Sequence, residues 1–203
     1  VSMGLAGGAI MSKGTRQQKE RWALPLLTFE KIGAWAITEP NSGSDAFGGM
    51  KSIARRSPEG GYVLNGNKTY ITNGPGGDIF VVYAKTGPSR KDVSTFIVES
   101  KFPGFKVSKK LKKMGMRASP TAELAFIDCE VPVENLIGKE NDSIAHMMKN
   151  LNLERITISG ISLGIASACL SYSSRFVQER SQFGKTLSHF QMIQERIAEM
   201  AAQ

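Results

Sequence analysis

The sequence predicts an α+β chain in which a central antiparallel β-barrel or sandwich is flanked by incomplete N-terminal and C-terminal helical domains. Three observations predict it. Short runs rich in Val, Ile, Tyr, Phe and Thr, punctuated by Gly, Pro and Asn, crowd the middle of the chain. Apolar residues at helical spacing occupy both ends instead. The 203 residues, 41% hydrophobic and 22% charged, have a globular composition and can bury a sizeable core.

Residues 1–32 read as the end of a helical domain. Ser2 to Met11 is small and apolar, and Thr15 is placed to cap a helix from Arg16 to Leu27. Trp22, Leu26 and Leu27 share one face of that helix, and Gly14 and Pro25 punctuate the segment. Residues 33–139 read as the β domain. Ala34 to Ile37 is a strand that Pro40 should stop, because proline has no N–H to give a ladder. Ile53 to Arg55 leads into the turn Pro58-Glu59-Gly60-Gly61. Asn65-Gly66 is a hairpin signal between Tyr62–Leu64 and Lys68–Thr72. Ile79 to Ala84 is apolar throughout, as in a buried strand. Ser94 to Glu99, Phe105 to Ser108 and Ala122 to Ile127 are further strands, with Cys129 to Val133 as an extended end.

Residues 140–203 read as the start of a second helical domain. A short helix is expected over Asp142 to Lys149, and a long one over Leu153 to Glu179 with Asn152 as its N-cap. Ile156, Leu163, Leu170 and Val177 recur at heptad spacing, and Gly160, Gly164 and Ala168 form a small-residue ridge against which another helix can pack. Phe183-Gly184 is read as the helix stop, and a last helix begins near Ser188. The chain opens on Val1 and closes in helical pattern at Arg196 to Gln203, so a segment of a longer polypeptide is expected.

Composition excludes several chemistries. Cys129 and Cys169 have neither the count nor the spacing of a disulfide framework or zinc site. His146 and His189 lack partners at metal-ligand spacing, so neither a metal site nor a Ser-His-Asp hydrolase is expected. No run of ~18 uninterrupted apolar residues suggests a membrane span, and no secretory signal pattern is present. The formal charge of +8 is concentrated between Lys101 and Arg117, where no acid intervenes. Such a run reads as a solvated face, or as a surface that attracts phosphates or other polyanions. It lacks the flanking aromatics of a nucleic-acid stacking platform.

The stretch from Ala34 to Gly49 says most about chemistry. After the strand come Thr38, Ser42 and Ser44, whose hydroxyls donate and accept hydrogen bonds, and Gly43, which allows close approach to the backbone. This suits a polar or phosphorylated ligand, but on these residues alone an ordinary strand–turn is the better reading.

Four motifs in order resolve that choice. Ala36-Ile37-Thr38-Glu39-Pro40 with Gly43-Ser44-Asp45, then Tyr70-Ile71-Thr72-Asn73-Gly74, Leu153-Glu154-Arg155 and Glu179-Arg180-Ser181-Gln182-Phe183-Gly184 resemble the acyl-CoA dehydrogenases. The resemblance implies FAD, α,β-dehydrogenation of an acyl-CoA thioester, electron transfer to an electron-transfer flavoprotein, and a homo-oligomer (dimer or tetramer) sharing the FAD site. It implies that Ile37 and Thr38 border the flavin ring, that Trp35 also belongs to the cofactor site, and that Gly43 and Ser44 line the pyrophosphate side, with Ser44 also near the CoA arm. Tyr70, where many members place Trp, would lie against the flavin, and Thr72 would hydrogen-bond to it. Arg180, Phe183 and Gln191 would reach the FAD of a neighbouring subunit.

The family places its catalytic base in two locations. Glu154 matches the helix position used by the isovaleryl-CoA and long-chain members. A carboxylate there suits proton abstraction when substrate desolvates it and raises its pKa. Asn152 is then expected toward the CoA arm and Arg155 near the thioester; from the residues alone an acid in the first turn of a helix is the better account of Glu154, and a structural ion pair accounts for Arg155 equally well. Two alternatives stay open: an acyl-CoA oxidase-like flavoenzyme, or a non-catalytic CoA- or protein-binding module. Roles in fatty-acid or branched-chain amino-acid breakdown, and a bacterial cytoplasmic or mitochondrial matrix location, fit the resemblance. Some of the lysines from Lys101 to Lys113 are expected to attract CoA phosphates.

Overall fold

A computed structural model describes residues 2–203. Helix α1 (Ser2–Lys13) precedes a second helical stretch made of α2 (Arg16–Gln18), one π-helical turn (Lys19–Ala23) and α3 (Leu24–Leu27). The strands are β1 (Gly33–Ala36), β2 (Ile53–Arg56), β3 (Tyr62–Thr72), β4 (Ile79–Lys85), β5 (Val93–Glu99), β6 (Phe105–Lys110), β7 (Thr121–Val131) and β8 (Leu136–Ile137). Then come α4 (Ser143–Glu179), the short strands β9 (Ser181–Gln182) and β10 (Lys185–Thr186), and α5 (Gln191–Ala202). These form two compact units, Val1–Asn152 and Leu153–Gln203, so the N-terminal helices belong with the sheet.

In the first unit the strands make one sheet in the order β6-β7-β3-β2-β4-β5-β8, with β1 also paired to β4. Most pairings are antiparallel, but β1 and β2 both run parallel to β4, which makes the sheet mixed. β4 shows why its sequence is apolar throughout. Successive side chains of a strand point to opposite faces, and here both faces are buried. Phe80, Val82 and Ala84 enter one core with Ala34, Ala36, Leu64, Phe96 and Phe126. Ile79, Val81 and Tyr83 enter a second core, against Ala6, Ala9 and Ile10 of α1 and against Trp22 and Leu26. Phe105 of the edge strand β6 meets Phe80 of β4 at a centroid distance of 4.6 Å, so the sheet wraps around the first core.

The helix start at Thr15 forms a full capping box. Thr15 Oγ1 accepts from the Gln18 N–H at 3.2 Å, and Gln18 Oε1 accepts from the Thr15 N–H at 2.9 Å. Trp22 and Leu26 are buried as expected, but Leu27 is 54% exposed and drops out of the predicted face. The π-helical turn over Lys19–Ala23 shifts the helical phase just before it.

Three local expectations are corrected. Asn65-Gly66 makes no hairpin: β3 runs through it, and the chain reverses at Pro58 to Gly61 instead. Gly66 adopts φ 148°, where a Cβ would lie 2.3 Å from Ser52 Oγ. The glycine therefore serves close strand approach and a bulge in the β3–β7 register, not a reversal. The two expected helices of the C-terminal part are one, α4, and Asn152 lies inside it. No Pro or Gly interrupts residues 143–159, and the Asn150 amide donates to Leu5 O at 3.1 Å instead of competing for its own backbone. Glu154 accordingly sits several turns into the helix and not in its first turn.

The third correction concerns the second unit. α4 ends at Glu179, and Phe183-Gly184 is the turn of the β9–β10 hairpin. Both turn residues have positive φ, 51° and 78°, as a two-residue primed turn requires. α4 also contains an 18-residue window of mean hydropathy 1.4, long and apolar enough to cross a membrane by length and composition. Serines at 159, 162, 167 and 171 interrupt that run.

Candidate functional site

The first unit builds a rigid wall from the loop after β1 and the bulged end of β3. Pro40 and Asn41 form a tight turn, closed by Glu39 N–H to Ser42 O at 3.0 Å and Ser42 N–H to Glu39 O at 3.1 Å. Ser42 turns inward, where its hydroxyl donates to Asp45 O at 2.6 Å. Ser44 stays exposed, and Gly43 has no atom within 4 Å of the position a Cβ would take. On β3, Tyr70 has φ 57° and is 70% exposed, two residues from the end of the strand. A left-handed tyrosine carries backbone strain that only over-determined surroundings sustain. It lies where the β3–β7 register shifts, between Lys68 and Ile71.

Those surroundings include a buried ion pair that sequence reading passed over. Lys68 has no exposed side-chain surface, and its ammonium donates to Glu39 Oε1 at 2.8 Å and to Ile37 O at 3.0 Å. The Glu39 carboxylate also accepts from the Lys51 N–H at 2.6 Å and the Ser52 N–H at 3.0 Å. One pair thus ties both ends of the 37–52 loop to β3, two residues before Tyr70. Thr69 N–H reinforces the tie by donating to Thr38 O at 2.9 Å. Burial lowers the Lys68 pKa to about 8, against the opposing pull of Glu39. At Glu39 burial pushes the pKa up, but the Lys68 charge and hydrogen bond, with Ser52 and Lys51, outweigh it and hold the carboxyl below its usual value. The available signal was a lysine inside a strand-forming run, between Asn67 and Thr69, at a position the strand pattern turns inward.

The wall suits a planar polar ligand by its leftover donors. Among the described residues, the hydroxyls of Thr38, Ser44, Tyr70 and Thr72 have no hydrogen-bond partner, and each side chain is at least partly exposed. An aromatic ring, free hydroxyls and open space over Gly43 fit a flavin with its pyrophosphate. Trp35 packs toward the helix side of the sheet. It is half-buried against the helix-side core, with its indole N–H donating to Tyr83 Oη at 3.2 Å and the two rings 5.6 Å apart edge to face. Ile37 is likewise buried in that core.

The remaining expected residues belong to α4 and the second unit. Asn152 and Arg155 are exposed on α4, each engaged in an interaction of its own, and Glu154 between them is half-buried. In the second unit Leu187 N–H donates to Arg180 O at 2.9 Å, which closes the hairpin behind Arg180. Phe183 at its tip is 91% exposed, with its ring 6.3 Å from Phe190, and Gln191 starts α5. An exposed guanidinium, an exposed ring and an amide thus cluster along one short stretch of chain.

Comparison with known proteins decides the family. The description "Acyl-CoA dehydrogenase, middle domain" matches residues 34–129, and "Acyl-CoA dehydrogenase, C-terminal domain" matches residues 142–203. The chain belongs to the acyl-CoA dehydrogenase family. It is 43% identical to a mitochondrial isovaleryl-CoA dehydrogenase of Pongo abelii over 94% of this chain and 46% of that protein. It is similar to the structure of butyryl-CoA dehydrogenase from Megasphaera elsdenii, with a TM-score of 0.93 and 40% identity over 98% of this chain and 52% of that one. It is also similar to an acyl-CoA dehydrogenase complexed with FAD from Bacillus anthracis, with a TM-score of 0.90 and 39% identity over 98% of this chain and 34% of that one. The chain spans about half the length of the curated relatives it matches. The acyl-CoA dehydrogenase C-terminal match includes the apolar window of α4, which makes that helix part of this fold and not a span.

Proposed function

We propose that this chain supplies the flavin wall and the catalytic base of an FAD-dependent acyl-CoA dehydrogenase that removes hydrogens from the α and β carbons of a thioester. The observation that carries the reading is the strained, exposed Tyr70 locked beside free hydroxyls by a buried ion pair. A surface held so firmly yet left unsatisfied is built for a ligand. When bound, FAD supplies the acceptor for the β-hydrogen as hydride.

The chain's own groups do the rest. Tyr70 offers its ring face, Thr38 and Thr72 offer hydroxyls to the polar edge, and the open backbone at Gly43 and Ser44 receives the pyrophosphate. Glu154 takes the α-proton onto its carboxylate. Closing substrate over this half-buried group removes water from around the carboxylate. Asn152 contacts the CoA arm and Arg155 the thioester end. Arg180, Phe183 and Gln191 contact the FAD of another copy, with the planar guanidinium matched to pyrophosphate oxygens, which makes a homo-oligomer part of the proposal. Electrons leave to an electron-transfer flavoprotein. The isovaleryl-CoA and butyryl-CoA names of the relatives point to short or branched acyl chains.

The test is Glu154→Gln in the full-length flavoprotein. Flavin bleaching by short acyl-CoA thioesters in stopped flow should fall by about a thousandfold or more, with bound FAD retained by absorbance. Bleaching within tenfold of the parent would remove Glu154 from the role of base.

A further inference from the structure

The basic run outside the flavin wall is concentrated on one surface. Lys106, Lys109 and Lys110 are exposed along β6, an edge strand of the sheet. Edge lysines have a protective role, because they discourage strand addition. That accounts for β6 but not for the loop after it. In that loop, residues 111–120, Lys112 and Arg117 are also exposed, and with Lys110 and Lys113 they line a concavity of 370 Å³. The loop is ordered by its own bonds: Lys113 Nζ donates to Ser119 O at 2.5 Å and Ser119 N–H to Met116 O at 3.0 Å. Among the described residues no acid pairs with any of these cations, and Glu123, in register with Lys109, forms no ion pair with it. Met114 and Met116 stand fully out of the same loop, at 104% and 80% exposure.

A phosphate group would engage the concavity alone. The surface is larger, with a row of lysines along a strand and two methionines beside it. Methionine is flexible and polarizable, and suits the apolar part of a protein contact. Position supplies the other half of the inference. Leu111 N–H donates to Thr121 O at 2.9 Å, Asn73 N–H donates to Pro120 O at 2.8 Å, and Thr72 is paired with Thr121. The basic loop is therefore anchored directly to the end of β3 that carries Tyr70 and Thr72.

We propose that the β6 edge and the 111–120 loop form the docking surface for a protein with an acidic face, and that this protein is the electron acceptor. The second clause rests on the dehydrogenase reading. Electrons leave most readily toward a partner seated beside the flavin wall, and cations without internal partners both steer and hold an acidic surface. Lys113 is engaged with Ser119 and shapes the loop, so Lys110, Lys112 and Arg117 are the contact cations.

The test uses the full-length, FAD-loaded protein with purified electron-transfer flavoprotein as the probe, and a small ferrocenium dye as an acceptor that needs no docking. Binding of the flavoprotein is measured by calorimetry, independently of turnover. In the variant K110E/K112E/R117E the dissociation constant and the KM for the flavoprotein should rise about tenfold or more, while dye-linked kcat, read at saturating acyl-CoA so that any loss of CoA affinity drops out, stays within about twofold. Binding to the unmodified protein should weaken as salt is raised from about 50 to 300 mM, and the variant should lose that dependence. Unchanged binding in the variant, or salt-indifferent binding in the parent, overturns the docking proposal. Absence of dye-linked turnover in the parent overturns the dehydrogenase reading instead, while calorimetry still decides docking.

Discussion

β4 and the part of α4 beyond Asn150 are both strongly apolar, yet they stand in opposite situations. From Ile79 to Ala84 every residue of β4 is buried, divided between two cores. Beyond Asn150 no residue of α4 is buried, and Leu153, Ile156, Leu163, Ile165 and Phe176 are all exposed. Apolar composition therefore marks what a segment is able to bury, and only topology shows whether this chain supplies the cover. The wall made by the 37–52 loop and the end of β3 stands on the satisfied side of that contrast. Its geometry is set by neighbours present in the same unit, whereas Glu154 stands on a helix whose apolar surface is still open.

The largest effects should separate these two regions. Phe96 is fully buried and packs edge to face on Tyr62 at 4.9 Å, so Phe96→Ala should destabilise by about 3–5 kcal/mol in urea unfolding of this chain. Ile156→Ala in α4, 72% exposed, should change the same measurement by less than about 0.5 kcal/mol. Equal losses would mean that α4 is covered in solution, for example by self-association, and would abolish the contrast.

Next in size is the buried pair behind the wall. Lys68→Met leaves the Glu39 carboxylate buried without its counter-charge and should cost about 3–5 kcal/mol. Acid then provides a sharper probe. The folded pKa of Glu39 lies below its usual value, so its contribution is fully present above the unfolded pKa and is lost as pH falls through the folded one. Stability of the parent should decline through the acidic range, and Glu39→Gln should flatten that part of the profile. Lys68 works the other way: its pKa is lowered, so between about 8 and its unfolded value of 10.5 the unfolded chain holds the extra proton and the Lys68 contribution grows with pH. A parent and a Glu39→Gln variant with parallel acid profiles would deny the carboxylate this role.

Legibility from sequence followed the same division. The strands with two buried faces, the Thr15 cap and the order of helices, sheet and helices were readable because each rests on local pattern. Asn65-Gly66 misled because the same dipeptide serves a turn or a close strand crossing, and Ser52, remote in sequence, decides which. Phe183-Gly184 misled in reverse: positive φ was expected there, but whether it ends a helix or turns a hairpin depends on Lys185 and Thr186 pairing back. Tyr70 and Thr72 are named by resemblance alone, and their role toward a flavin belongs to the proposal. The Lys68–Glu39 pair that holds them was not legible, because a buried pair is defined by two residues whose approach only the fold reveals.

Glycine provides the smallest effects and the closest comparison between the regions. At Gly66 a Cβ would meet Ser52 Oγ at 2.3 Å on a backbone with φ 148°, so Gly66→Ala should destabilise by about 1–3 kcal/mol. At Gly160, inside α4, nothing lies within 4 Å of the new methyl, so Gly160→Ala should stabilise this chain by up to about 1 kcal/mol through helix propensity alone. The same substitution in the full-length protein has a different expectation. Gly160, Gly164 and Ala168 form a small-residue ridge on α4, and a helix packed closely on it would meet the methyl. Gly160→Ala should then raise the melting temperature of the isolated chain and lower that of the whole protein. A rise in both would show that the ridge is left open in the longer protein and that α4 is covered on another face.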